Sequence, residues 1–262
     1  MKKFNLVIIA ALFLFSFSCS KNENKGGTLT VDTLSAKWVV SGTSTDFVSF
    51  EFNKSGNYVV VENDGTKSTN NQIILYGTYQ IVDNQTISLV GFGTLKLKSI
   101  DSNSFAFTLT LQSDSGTEIV ISAARAAIIA SSSKTDLLCK TWETVTHNSV
   151  SVVGTEYEGA TVLFSPFGTY YVNYPDYPED GGLAQWTWKD NAETTLCYSW
   201  EGDPTCNGDN EVQITQLTST SLAIDEAGDV FVLKPASVTK SASVKSVKTK
   251  MLIFKRRSLI IK

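Results

Sequence analysis

Five short blocks recur in the same order in two halves of this 262-residue chain, and that duplication restricts the fold more than any other feature. Residues 34–38 (LSAKW) match 138–142 (LCKTW), and FNKSGNY at 52–58 matches FSPFGTY at 164–170 without a gap. Residues 78–89 match 185–196 about a shared Asp-Asn, 95–107 match 212–224, and 116–121 match 228–233. An ordered internal repeat of this kind means that one structural unit is built twice, so the fold has to be read per copy.

Each copy divides into about eight short runs in which apolar residues alternate with polar ones, the period of a half-buried strand. In the first copy these runs are placed at 37–42, 47–52, 58–61, 74–82, 86–90, 95–99, 105–111 and 118–122. The alternation is clearest in LKLKS and FAFTLTL, and Thr, Val, Ser and aromatic residues dominate throughout, as strands prefer. About eight antiparallel strands per copy, with no helical period between them, predict an all-β protein of two tandem small up-and-down barrels. A flattened sandwich is the alternative. The domains are expected at 28–122 and 136–234. Between them lies a linker, 123–135, within the Ala-rich SAARAAIIASSSK, which has the composition of a short helix.

The two ends of the chain read differently from its body. Lys2 and Lys3 precede an apolar run at 4–17, too short to span a bilayer and suited to an export signal. Residues 1–18 are therefore expected to be a signal peptide. Cys19, followed by the polar SKNENKGG, resembles the lipidated first residue of a bacterial lipoprotein, with 19–27 as tether. Ser16 and Ser18 also suit cleavage by a general signal peptidase, which would leave a secreted protein. The lipoprotein reading places the chain in the cell envelope, anchored on the outer membrane through its N-terminal lipid. From Lys234 onward there are nine Lys or Arg and no Asp or Glu, which leaves the preceding residues with a net charge of −13. An acidic body excludes nucleic acid as the expected partner. The basic segment 235–262 is expected to be disordered, and its charge suits contact with anionic lipid or lipopolysaccharide.

Of the remaining cysteines, Cys197 and Cys206 are close enough to close one loop with a disulfide in an oxidising envelope, and Cys139 reads as a buried, inert thiol. His147 is the only histidine, so neither a multi-histidine metal site nor a Ser-His-Asp system has support. There is no G-x-S-x-G and no phosphate-binding glycine loop. No catalytic residue, metal ligand or cofactor is assigned, and the protein is expected not to be an enzyme.

In an up-and-down barrel, alternate connections fall at the same end. NKSG and SPFG, VDN and KDN, DSN and TST are tight turns that close one end of each copy. The opposite end of the second copy carries three long loops, 147–159, 173–184 and 200–210. Loops longer than closure requires are often functional. These present Tyr157, Tyr174, Tyr177 and Trp200 beside Asp176, Glu179, Asp180, Asp203 and Asp209. Asp203, Asn207, Asp209 and Glu211 are hard oxygen donors but lack the spacing of a calcium loop, so a solvated loop is the favoured reading. Trp186 and Trp188, two apart on one strand, are expected to face inward as core, or to line a cavity if the barrel is hollow.

The Leu-x-x-x-Trp opening, F-x-x-x-G-x-Y, G-T-Y-x-I and the closing L-x-S-x-S-L together resemble the lipocalin-like domains of envelope lipoproteins in Bacteroidetes-type bacteria, over residues 27–234. The resemblance implies non-catalytic binding of a small hydrophobic or amphipathic ligand, for which Tyr157, Tyr174, Tyr177, Trp186, Trp188 and Trp200 are the candidate residues. A second expectation comes from the loop end of the second copy. Aromatic rings beside carboxylates are also how proteins hold sugars, which makes a surface module for glycan or protein the alternative.

Overall fold

The computed structural model describes residues 27–42, 45–63, 71–129, 131–176, 181–200, 204–208, 210–237 and the backbone of 245–250. Each copy begins with one helical turn that leads into a strand. Thr30 caps α1 (Val31–Leu34) by accepting from the Thr33 N–H, and Ser132 caps α2 (Ser133–Leu138) by accepting from the Thr135 N–H. The last carbonyls of a helix have no partner within it, and a buried indole N–H needs one. Each need meets the other here: Trp38 Nε1 donates to the Leu34 carbonyl at 2.9 Å, and Trp142 Nε1 to the Leu138 carbonyl at 2.8 Å. All four residues are fully buried. The repeated Leu-x-x-x-Trp spacing is therefore the reach of an indole back to the end of the helix that precedes it.

The first copy continues as β1 (Lys37–Val40), β2 (Phe47–Phe52), β3 (Asn57–Asn63), β4 (Asn71–Ile81), β5 (Thr86–Leu89), β6 (Gly93–Ile100), β7 (Ser104–Leu111) and β8 (Asp114–Arg125). Consecutive strands pair antiparallel, and β8 closes onto β1 with Trp38 opposite Arg125. The second copy repeats this with β9 (Thr141–His147), β11 (Thr161–Phe164), β12 (Thr169–Asn173), β13 (Gly182–Trp188), β14 (Thr195–Ser199), β15 (Glu211–Leu217), β16 (Leu222–Glu226) and β17 (Asp229–Pro235), closed by β17 on β9. A two-residue β10 (Val150–Ser151) folds back on β9 as a hairpin. The protein is thus two tandem, closed, eight-stranded antiparallel barrels.

Two stretches differ from the sequence expectation. Among its described residues the Ala-rich segment is not helical before α2 begins at Ser133, and Ala123, Ala124 and Arg125 extend β8 to pair with β1. Alanine's helix propensity loses there to ladder hydrogen bonds already offered by a neighbouring strand. Residues Lys245–Lys250, in the tail expected to be disordered, form a further strand, β18, antiparallel to the first half of β4. That half of β4 has an open edge because β5 pairs only with Tyr79–Ile81, and unpaired backbone groups there capture a strand.

FNKSGNY and FSPFGTY make the same turn. Gly56 and Gly168 lie at φ 85° and 81°, a region that glycine enters without penalty. The glycine carbonyl of each turn also accepts from the next strand, from the Tyr79 N–H at 2.8 Å and the Trp186 N–H at 2.9 Å. Each turn therefore ties three strands at the closed end.

Side chains fill both interiors. In the first barrel Trp38, Phe50, Phe52, Phe105 and Phe107 interlock at centroid distances of 4.4 to 6.4 Å. In the second, Phe164 packs on Tyr170 and Trp186 at 5.1 and 5.9 Å. A third apolar cluster lies between the barrels, where Val59, Val61 and Ile74 meet Leu163 and Tyr171. The Tyr76 and Tyr171 rings stand 5.1 Å apart, and Thr169 donates to the buried Glu51 carboxylate across the same boundary. β3 and β12 occupy the same place in the two copies, so each barrel buries the same face against the other, as the subunits of a two-fold dimer do.

The cross-strand pair Tyr58–Gly77 in the first barrel corresponds to Tyr170–Ala184 in the second. A methyl group on Gly77 would lie 2.8 Å from the Tyr58 ring. Gly77→Ala should therefore cost about 1–3 kcal/mol in chemical denaturation, the usual range for overpacking a dense core. Unchanged stability would show that the ring can move aside.

Candidate functional site at the loop end of the second barrel

The site is organised by the hairpin between β9 and β10. Asn148 and Ser149 lie at φ 49° and 66°, the left-handed pair that a two-residue hairpin needs. The Asn148 side chain then reaches across to β17: its Oδ1 accepts from the Val230 N–H at 2.8 Å and its Nδ2 donates to Asp229 Oδ1 at 2.9 Å. His147 Nε2 lies 3.1 Å from the same carboxylate oxygen. These hydrogen bonds, from Asn148 first and His147 second, hold the Asp229 carboxyl below the usual carboxylate range.

Rings close the barrel beneath this cluster. His147 stacks on Phe231 with centroids 4.5 Å apart and planes 10° from parallel, and Tyr157 meets both edge-on at 5.0 and 5.5 Å. Tyr174 lies behind, 6.4 Å from Tyr157. Tyr157 and Tyr174 are only 7% and 5% exposed, so these loop tyrosines plug the mouth instead of being displayed. Deeper still, Tyr198 donates to the buried Glu226 carboxylate. The neighbouring Tyr170 phenol is pushed well above its ordinary pKa, by burial first and then by Glu226, Tyr198 and Tyr174.

Above the plug, an open depression of about 470 Å³ lies between the β9–β10 hairpin and the turn that follows. His147, Asn148 and Tyr157 line it with Ser151, Thr155 and Glu156 as further polar groups, and Val150 and Val152 supply apolar surface. Val150 and Val153 are 66% and 75% exposed, an unusually apolar rim for a solvated loop.

The six aromatic candidates separate in the structure. Tyr157 lines the depression, and Tyr174 supports it from behind. Trp200 is half-buried against Tyr170 and Tyr198, 5.9 Å from each, and lies outside the lining. Trp186 is core, with its Nε1 donating to the Ser165 carbonyl at 2.9 Å. Trp188 is half-buried at the opposite, closed end, where its Nε1 donates to Thr135 of α2 at 2.9 Å. The physical reason is strand direction: β13 starts at the loop end and finishes at the closed end, so its last residues cannot reach the mouth. Tyr177 lies outside the described residues, as does Cys19.

Cys197 and Cys206 form a disulfide that ties β14 to the loop before β15, with Cα atoms 5.4 Å apart. Cys139 is half-buried, and burial, then the Glu51 and Asp136 carboxylates, push its thiol pKa up, away from thiolate chemistry. Among the described residues no three His, Cys, Asp or Glu side chains gather closely enough to hold a metal ion; Asp203 and Asp209 lie outside them. Sequence reasoning named Tyr157 in this lining but missed Asn148, Val150, Ser151, Val152, Thr155 and Glu156. The available signal was that they all fall in the longest loop of the second copy, beside the lone histidine. No family model matches the chain, and no curated protein shows similarity to it.

Cys206→Ser should lower stability by about 2–3 kcal/mol, the loop-closure entropy of so short a ring, read from denaturant midpoints with and without reductant. Asp229 has a depressed folded pKa, so its contribution is complete above the usual carboxylate range and is lost as pH falls through the folded value. Wild type should therefore lose more stability on acidification than Asp229→Asn, and parallel pH profiles would refute the assignment.

Proposed function

We propose that this is an exported, lipid-anchored, non-catalytic recognition protein of the lipocalin-like kind, which holds a small amphipathic ligand, a glycan, at the loop end of its second barrel. The observation that carries this reading is the depression of about 470 Å³ at the mouth, set above an interior already filled by side chains. Its volume lies in the range of small-molecule sites. Its chemistry suits a sugar: a carboxylate, an amide and two hydroxyls above the Tyr157 plug, with valines along the rim. A hydrophobic ligand inside the barrel is the less supported alternative, since it would have to displace Trp186, Tyr170 or Phe164 from close-packed positions. Cys19 supplies the membrane anchor in this reading, and the acidic body keeps nucleic acid out of the partner set.

Glycan-array screening of the mature protein, followed by calorimetry on the best oligosaccharide, tests the site. Glu156→Gln and Ser151→Ala should each weaken binding by roughly 1–2 kcal/mol, the cost of losing a polar contact, while the closed-end variant Trp188→Phe leaves it unchanged. A fluorescent fatty acid whose binding is abolished by Trp186→Ala and untouched by Glu156→Gln would instead place the ligand inside the barrel. Palmitate incorporation into wild type and not into Cys19→Ala is expected for the anchor; labelled Cys19→Ala protein would overturn it.

A further inference from the structure

β4 has 11 residues where its counterpart β13 has 7, and the added length lies at its start. Only Tyr79–Ile81 of β4 pair with β5, so one edge of residues 71–76 takes no part in closing the barrel. The sequence of that edge, NQIILY, has no charge and no proline. An uncovered hydrophobic edge of this kind templates pairing with another chain. β18 covers it across six residue pairs, from Lys250 opposite Asn71 to Lys245 opposite Tyr76. β18 is the last strand of its sheet, so the edge now offered outward belongs to KSVKTK. Lysines on an edge strand are a common device against edge-to-edge pairing, because like charges would meet.

We propose that β18 is an edge guard, and that when it leaves, the 71–76 edge of β4 pairs with the same edge of a second copy of this chain. The pairing is self-complementary. Two antiparallel β4 strands would set residue 73 against its own copy, 72 against 74 and 71 against 75, which generates a closed two-fold dimer. Nothing repels across that seam, since neither strand carries a charge between 71 and 76. The guard, by contrast, is held along one edge by six residues, also lies against β13, and is joined to the second barrel through 238–244. Its release therefore costs far less than opening either closed barrel.

The test uses the full chain. Ser246→Pro combined with Val247→Pro removes ladder N–H groups on both sides of β18. Light scattering across a concentration series should show a monomer for wild type and a concentration-dependent dimer for the double proline variant. In wild type the alternate backbone amides of 71–76 that face β18 should be protected from hydrogen exchange; in the variant at high dilution they should exchange on the order of tenfold faster or more, while those bonded to β3 stay protected. Adding Asn71→Lys and Gln72→Lys to the proline variant should restore the monomer while the amides stay exposed. An unchanged thermal melt of the barrels separates edge exposure from unfolding. A proline variant that stays monomeric at all concentrations overturns the proposal, as does a dimer that survives the two lysines.

Discussion

Closing eight short strands into a ring leaves an interior just wide enough for side chains, and most of this molecule's organisation depends on that limit. Both barrels meet it with aromatics, Trp38, Phe50, Phe52, Phe105 and Phe107 in one and Trp142, Phe164, Tyr170, Trp186 and Phe231 in the other. The two barrels differ most at the rim, where strand ends and loops are free to diverge. At the mouth of the second barrel the rings of His147, Tyr157, Tyr174 and Phe231 cap the core, and the depression lies on top of that cap.

The duplication explains why the two ends of each barrel behave differently. The closed end is the same in both copies: helical turn, indole-to-carbonyl hydrogen bond, and glycine turn tied to a third strand. These are interactions in which the backbone demands a particular residue, so both copies carry the same letters. The outer faces answer to a different demand. Val59 in the first barrel and Tyr171 in the second sit at equivalent places and meet across the boundary, where shape matters more than residue identity. The open ends carry no shared constraint, and there the copies diverge.

Much of the fold was legible in the sequence. All eight first-copy strands fall within a few residues of the runs read from period-two alternation, because alternation is the direct imprint of a sheet with one buried face. The candidate site was legible only as a region. Tyr157 belongs to the lining, but Tyr174 turned inward and Trp188 went to the other end. A loop's length is visible in sequence, whereas the direction of its side chains depends on which groups it finds to bury against. Asn148 and Asp229, which shape the hairpin beside the depression, are 81 residues apart and share no local pattern.

What the sequence determined by itself was therefore whatever rests on local periodicity and on backbone geometry: two copies, strand positions, tight turns at Gly56 and Gly168, and the Leu-x-x-x-Trp start. Tertiary structure decided what depends on partners distant in the chain. It closed β8 on β1 and β17 on β9, stacked His147 on Phe231, and turned Arg125 into strand where composition favoured helix. It also recruited Lys245–Lys250 to an edge that nothing in the tail's own composition announces. The reason is the same in each case: hydrogen-bonding and packing partners supplied from far along the chain outweigh a segment's weak intrinsic preference.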